Sequence, residues 1–265
     1  MKILYAAAEI SPFARMTSTA DLLRFLPASL QDKGFEIRIL LPKYGTINDR
    51  RNRLHEVIRL SGIEVEVGDK KESLKIKVAS IPNAKLQVYF LDNDTYFKRK
   101  GLFKKPDTGA FYKDNDERLA FYNKGVLETV MKLNWEPDII HCHDWPAGLI
   151  PLLVKTKYKD EKIFKNTQIV YNLHHPENEG HGDTAKILEL LGLPDDVNIN
   201  DLTENGKVDL LKLGLRYSDH VVTGNFLNNE FDEVFKELGI TPKKIQGSPE
   251  DVSNKFSEYY RSLTK

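Results

Sequence analysis

The chain reads as an α/β protein built on a doubly wound, mostly parallel, Rossmann-like sheet, and three observations carry that reading. Short continuous apolar runs such as KILYAAA (2–8) have no wet face, as expected of strands covered on both sides. These runs alternate with helical patterns, and strand, helix, strand within 2–42 makes a βαβ unit with parallel pairing. One stretch breaks the alternation: residues 54–92 show apolar and polar residues in turn, which predicts an antiparallel hairpin insertion.

The elements follow in order. STADLLRFLPASLQDKG (18–34) sets Ala20, Leu22, Leu23, Leu26 and Leu30 near helical spacing and stops at Gly34. FEIRILLP (35–42) is the second strand, and LHEVIRLSGIEVEV, ESLKIKVASI and KLQVYFLD are the alternating segments of the insertion. Residues 114–133 predict a helix, 137–144 a strand, 147–158 a helix and 167–175 a strand. Helices at 185–193 and 207–218 precede a short strand at 219–224, and helices at 226–238 and 249–263 follow. GITPKKIQGSPED (239–251) is a Gly/Pro/Lys-rich link. The expected organisation is therefore a domain over 1–240, then a linker and C-terminal helix over 241–265. Val252, Phe256, Tyr259, Tyr260 and Leu263 give that helix an apolar side, expected to pack back on the domain.

Composition removes several functional classes. Lys plus Arg and Asp plus Glu each number 39, so net charge gives no footprint for nucleic acid or an anionic membrane. The one cysteine, Cys142, allows no internal disulfide and suits a reducing compartment. No apolar run reaches the roughly 18 residues of a membrane span, and Met1–Ala8 is too short for a secretory h-region. The expected location is the cytoplasm.

In doubly wound sheets ligands bind beyond the carboxyl ends of the strands. That rule selects residues 9–18, 143–145, 174–181 and 223–225. In HCHDW (141–145), His141 and His143 point to one side of the strand, and His143 and Asp144 fall at its exit. His141 is expected to be a core histidine, and Trp145 to pack on the next helix. LHHPENEGHGD (173–183) is rich in His, Glu and Asp but lacks the spacing and thiolates of zinc sites, so no metal is assigned. The stretch ARMTSTADLLRFLP (14–27) stands where a phosphate loop would, with Arg15, Thr17, Ser18 and Thr19 but no glycine. Ser18 or Thr19 reads as an N-cap and Asp21 as first-turn charge. The candidate substrate-binding residues are Arg15, Asp21, His143, Asp144, Trp145, His174, Glu179 and Gly180. DTYFKRKGLF (94–103) is the place to look for aromatic rings that stack on sugars.

MKILYAAAEISPFAR, LPASLQDKGFEIRILLPKYG, FLDNDTYFKRKGLF, DNDERLAFYNKGVLETV, PDIIHCHDWPAGLIPLLVK and VDLLKLGLRYSDHVVTG together span most of residues 1–230. In this order they resemble the amino-terminal domain of bacterial glycogen synthases and plant starch synthases. The resemblance implies a GT-B half-fold, a retaining glucosyltransferase ancestry, ADP-glucose as donor and an α-1,4-glucan as acceptor. No cofactor is implied. Where the family has lysine, one residue and two glycines at the donor phosphates, this chain has Arg15, Thr17 and Ser18. Arginine for lysine is not neutral at a tight site, and side chains at the glycine positions hinder close backbone approach. Pro146 stands where the family usually has a histidine, and 174–180 keeps the His and Gly ends of a family loop but not its aromatic and amides. The family's second domain, with the arginine, lysine and glutamate that act at the leaving group, has no counterpart among these residues.

Three readings follow from the resemblance. The first is an impaired, synthase-derived domain that retains glucan or partner binding, with weak ADP-glucose affinity or none. The second is an active glucosyltransferase completed by another chain. The third is a structural or regulatory subunit that binds a protein partner and no sugar.

Overall fold

The structure, a computed structural model, describes all residues except Asn83, Lys85, 175–179, Asn225, Phe226, Asn228, Glu230 and Lys265. Its strands are β1 (Lys2–Ala6), β2 (Glu36–Pro42), β3 (His55–Glu56), β4 (Ile63–Val67), β5 (Lys70–Ser80), β6 (Gln87–Asp92) and β7 (Ile139–His143). Then come β8 (Gln168–Leu173), β9 (His181–Asp183), β10 (Thr203–Glu204), β11 (Lys207–Asp209), β12 (His220–Thr223) and β13 (Lys243–Lys244). The helices are α1 (Thr19–Asp32), α2 (Asp49–Asn52), α3 (Asp94–Phe97), α4 (Asn115–Leu133) and α5 (Leu149–Lys155). After them follow α6 (Thr184–Leu191), α7 (Leu210–Tyr217), α8 (Asp232–Glu237) and α9 (Pro249–Leu263).

The main sheet runs β13-β12-β8-β7-β1-β2-β6-β5-β3, and β4 pairs with β5. Every pair from β13 to β6 is parallel, while β3, β4 and β6 each pair antiparallel with β5. This is the doubly wound, mostly parallel sheet that the alternation of elements predicts. Chain order reverses direction between β1 and β7, so the switch point lies at their carboxyl ends.

Three local expectations are corrected. Gln87–Asp92 is not confined to a hairpin insertion, because β6 lies parallel against β2 inside the main sheet. Residues 207–218 do not form one helix: Lys207–Asp209 is a strand that joins β9 and β10 in a small second sheet, and helix begins at Leu210. The start is set by the Asp209 side chain, which accepts from the Leu211 and Lys212 amides. Ser18 does not cap α1 with its side chain and has helical backbone angles itself. The Thr19 amide instead donates to Thr17 Oγ1 at 3.1 Å.

Two cores flank the sheet. Leu4, Ala6, Leu40, Ile140, Cys142 and Tyr171 face α4, α5 and α7 on one side. Ile3, Tyr5, Ile39, Leu41, Ile139 and Val170 face α1 and α9 on the other. The period of two along each strand sends alternate residues to opposite cores.

α9 lies against α1 and reaches the sheet. Ser248 and Asp251 form a capping box at its start. Ser253 Oγ meets Ser29 Oγ at 2.7 Å, and Lys33 Nζ donates to Asn254 Oδ1 at 2.5 Å. Val252, Phe256 and Tyr260 are buried, and the Tyr260 hydroxyl contacts His141 Nδ1 at 2.6 Å and the Tyr5 hydroxyl at 3.1 Å. Among the described residues, no helix is long and apolar enough to cross a membrane.

Candidate functional site

Two cavities open at the carboxyl ends of the strands, separated by the first turn of α1. The front cavity, about 310 Å³, is lined by residues of the β1 exit (Ala7, Ala8, Glu9), of α1 and the turn before it, of 102–104, and by His143–Pro146. The second cavity, about 270 Å³, lies between α1, the exits of β8 and β12, and α9.

The predicted site residues divide between them. His143, Asp144 and Trp145 line the front cavity, while Asp21 and His174 line the second. Arg15 lines neither and pairs with Asp21 at 2.7 Å, with both side chains more than half exposed. Gly180 stands behind Trp145, and Glu179 lies outside the described residues.

β7 ends in a tight turn. Asp144 holds φ 53° and ψ −176°, a conformation that costs a non-glycine residue about 1–3 kcal/mol. Three hydrogen bonds enforce it. Its amide donates to Asn172 O at 3.1 Å, its carbonyl accepts from the Tyr171 hydroxyl at 2.7 Å, and Oδ1 accepts from the His174 amide at 2.8 Å. Asp144→Ala keeps the strain and loses the last of these bonds, so a loss of about 1–3 kcal/mol is expected. Asp144→Gly is expected to recover part of that loss, since glycine adopts positive φ freely. Urea unfolding of both variants checks this, and equal losses would argue against stored strain at Asp144.

A run of histidine rings lies beneath the cavities. His141 and His143 have centroids 4.1 Å apart, and the His143 and His174 rings are nearly parallel at 7°, with centroids 5.1 Å apart. His143 Nδ1 lies 2.9 Å from His174 Nε2. Burial, reinforced by the neighbouring rings, pushes His141 and His143 well below the usual histidine range, so both are neutral at pH 7. His141 thus sits in the core, as its position in the strand predicts.

Trp145 packs obliquely on Phe103, with centroids 4.7 Å apart. Phe103 comes from the 94–103 stretch singled out for stacking rings. Its loop is held by Arg118 on α4, a buried arginine that donates to Tyr96 O at 2.7 Å and to Leu102 O. A Cβ on Gly180 would lie 2.6 Å from Trp145 Cβ and Cγ. Gly180→Ala is therefore expected to displace the indole, visible as a shift in tryptophan emission in a Trp135→Phe background; an unchanged spectrum would contradict that packing.

The turn before α1 is internally neutralised. Glu9 Oε2 accepts from the Met16 and Thr17 amides at 2.6 and 2.8 Å, and Oε1 from the Thr17 hydroxyl at 2.5 Å. A carboxylate of the chain thus occupies amides that would otherwise face an anion. Asp21 both pairs with Arg15 and accepts from Ser11 Oγ at 2.7 Å. Thr19 and Arg118 are the residues of this region that the sequence-based site reading misses, while Glu9 and Phe103 fall within the selected stretches 9–18 and 94–103 without being named as binding residues. Among the described residues, no cluster of His, Cys, Asp and Glu is arranged to hold a metal.

Residues 2–225 match the family model of the starch synthase catalytic domain. Glycogen synthases of Chlorobaculum tepidum and Chlorobium limicola are each 46% identical over 222 residues, covering 84% of this chain and 45% of theirs. That of Chlorobium luteolum is 46% identical over 229 residues, covering 86% and 46%. The catalytic domain of starch synthase IV from Arabidopsis thaliana, solved bound to ADP and acarbose, superposes with a TM-score of 0.72 at 20% identity. That superposition covers 92% of this chain and 51% of the other and shows a shared GT-B domain fold. The chain spans about half the length of the curated relatives it matches. On these matches, the chain belongs to the starch synthase catalytic domain family.

Proposed function

We propose that this chain is a glucan-binding domain of glycogen metabolism that transfers little or no glucose by itself. The observation that carries the reading is Glu9, seated on the Met16 and Thr17 amides at the turn where the family resemblance places the donor phosphates. A diphosphate would have to displace that carboxylate, and Arg15 would have to leave Asp21. Thr17 and Ser18 further keep the backbone from a close approach. ADP-glucose is therefore weakly bound or not bound, while the front cavity keeps its aromatic wall of Phe103 and Trp145 for a sugar ring. Pro146, which also lines it, offers no side-chain hydrogen bond. In this reading residues 1–240 form the body of the domain, the following segment adds β13 to its sheet, and α9 returns across it.

A second reading has specific support in Asp144, a carboxylate held in a strained conformation at the cavity. It makes the domain one part of a transferase whose leaving-group residues come from another polypeptide.

Titration calorimetry with maltohexaose and with ADP-glucose tests the proposal. Saturable heat is expected with maltohexaose, and none with ADP-glucose at millimolar concentration. The reverse pattern would contradict it. Heat from neither, with a protein captured specifically from native extract, would favour a non-sugar regulatory role.

A further inference from the structure

The segment between α3 and α4 concentrates positive charge. Residues 98–113 carry six basic side chains, Lys98, Arg99, Lys100, Lys104, Lys105 and Lys113, against one acidic, Asp107. In the whole chain basic and acidic residues are equal in number. Lys98 is paired with Asp94, and Arg99 with Asp114. Lys100, Lys105 and Lys113 are exposed and, among the described residues, have no acidic partner.

These charges sit on an ordered projection. Lys104 and Phe111 face each other in an antiparallel bridge, the Lys105 amide donates to Ala110 O at 2.8 Å, and Gly109 turns the chain at φ 68°. Lys105 follows one arm of the bridge and Lys113 the other. Gly101 comes so close that a Cβ on it would lie 2.0 Å from the Lys104 carbonyl oxygen, which brings Lys100 to the same hairpin. The base is fixed from α4, where Arg118 donates to Tyr96 O and Leu102 O, and Asn115 Nδ2 to Phe103 O at 3.0 Å. Phe111 is 40% exposed, and the Lys104 ammonium lies 4.9 Å from its ring centroid. Charges and ring are thus set in place before any partner arrives, which lowers the entropic cost of binding.

The rings decide which anion fits. Single-stranded nucleic acid is held by successive bases stacked on successive aromatic side chains. Here Lys104 lies over Phe111, Arg99 lies 5.0 Å from the centroid of the neighbouring Tyr112, and Asp107 at the turn repels phosphates. A lipid surface needs more apolar anchoring than one exposed ring supplies. A polypeptide needs neither, because its carboxylates reach separate ammonium groups while one apolar side chain covers the open part of Phe111. We propose that the 98–113 projection docks an acidic polypeptide segment, with Lys100, Lys105 and Lys113 pairing to its carboxylates and Phe111 packing on an apolar side chain. The surface does not depend on glucan binding. Leu102, Phe103 and Lys104 also line the front cavity, so a docked segment lies at the rim of that cavity.

Fluorescence anisotropy on the full chain, with a labelled peptide of glutamates around one leucine, tests the surface. Saturable binding is expected at low salt and is expected to weaken as salt rises. Combining Lys100→Glu, Lys105→Glu and Lys113→Glu is expected to weaken it about tenfold. Phe111→Ser is expected to weaken it about threefold and to keep the salt dependence. Both variants are expected to melt with the parent chain, since the altered side chains are exposed. The control combines Lys159→Glu, Lys162→Glu and Lys165→Glu, at three exposed positions before the amino end of β8, and is expected to bind as the parent does. An equal loss in that control would reduce the effect to net charge and overturn the proposal. Absence of binding by the parent chain, or unchanged affinity in the first two variants, would also overturn it. Tighter binding to an oligothymidylate or to phosphatidylglycerol vesicles than to the peptide would assign the projection to nucleic acid or to membrane instead.

Discussion

Replacing Phe256 with alanine is expected to lower folding stability by about 3–5 kcal/mol, the usual cost of emptying an aromatic core position. Phe256 is 2% exposed, and its ring lies 5.4 Å from both His141 and Tyr260. α9 thereby closes the core on the α1 side of the sheet rather than resting on its surface. Tyr260 adds a polar anchor, since its hydroxyl meets both His141 Nδ1 and Tyr5. Tyr260→Phe leaves those two buried groups without that partner, at an expected cost of about 1–3 kcal/mol. Urea unfolding of both variants measures this directly. Losses below about 1 kcal/mol for Phe256→Ala would mean that the helix contributes little to the fold.

Acid is expected to destabilise the protein well before its carboxylates titrate. The folded-state values of His141 and His143 are depressed well below the ordinary histidine value, chiefly by burial. Below about pH 6.5 the unfolded chain binds protons at these positions that the folded chain does not. Stability therefore rises with pH up to about 6.5 and is lost as pH falls below it, until the folded-state values are reached. Both histidines act in the same direction, so the protein is expected to be less stable at pH 5 than at pH 7.5. Denaturant unfolding at the two pH values checks this, and equal or greater stability at pH 5 would contradict the neutral, buried state of the histidines.

Much of this architecture is legible in the sequence because apolar periodicity reports burial directly. β1, β7 and α4 follow from patterns contained within each segment, and α9 carries its own Ser248 capping box. Pairing is less legible. The alternation in Gln87–Asp92 reports a partly wet strand but not its neighbour, and only the folded chain sets it parallel to β2. At the site, His143, Asp144 and Trp145 are legible from their place at a strand exit. The true partners of the turn before α1 are not, because the carboxylate on the Met16 and Thr17 amides comes from Glu9, several residues upstream. Arg118 gives no local signal either. A charge in the first turn of an amphipathic helix reads as solvent-facing, and its burial depends on carbonyls of Tyr96 and Leu102 brought up from the preceding segment.

The most direct test is ADP release from ADP-glucose by the purified chain, with glycogen as acceptor and an active glycogen synthase as control. With Glu9 on the amides and Arg15 paired to Asp21, release is expected to stay at background. Turnover clearly above background that disappears in Asp144→Ala would contradict the account and make this chain a working glucosyltransferase.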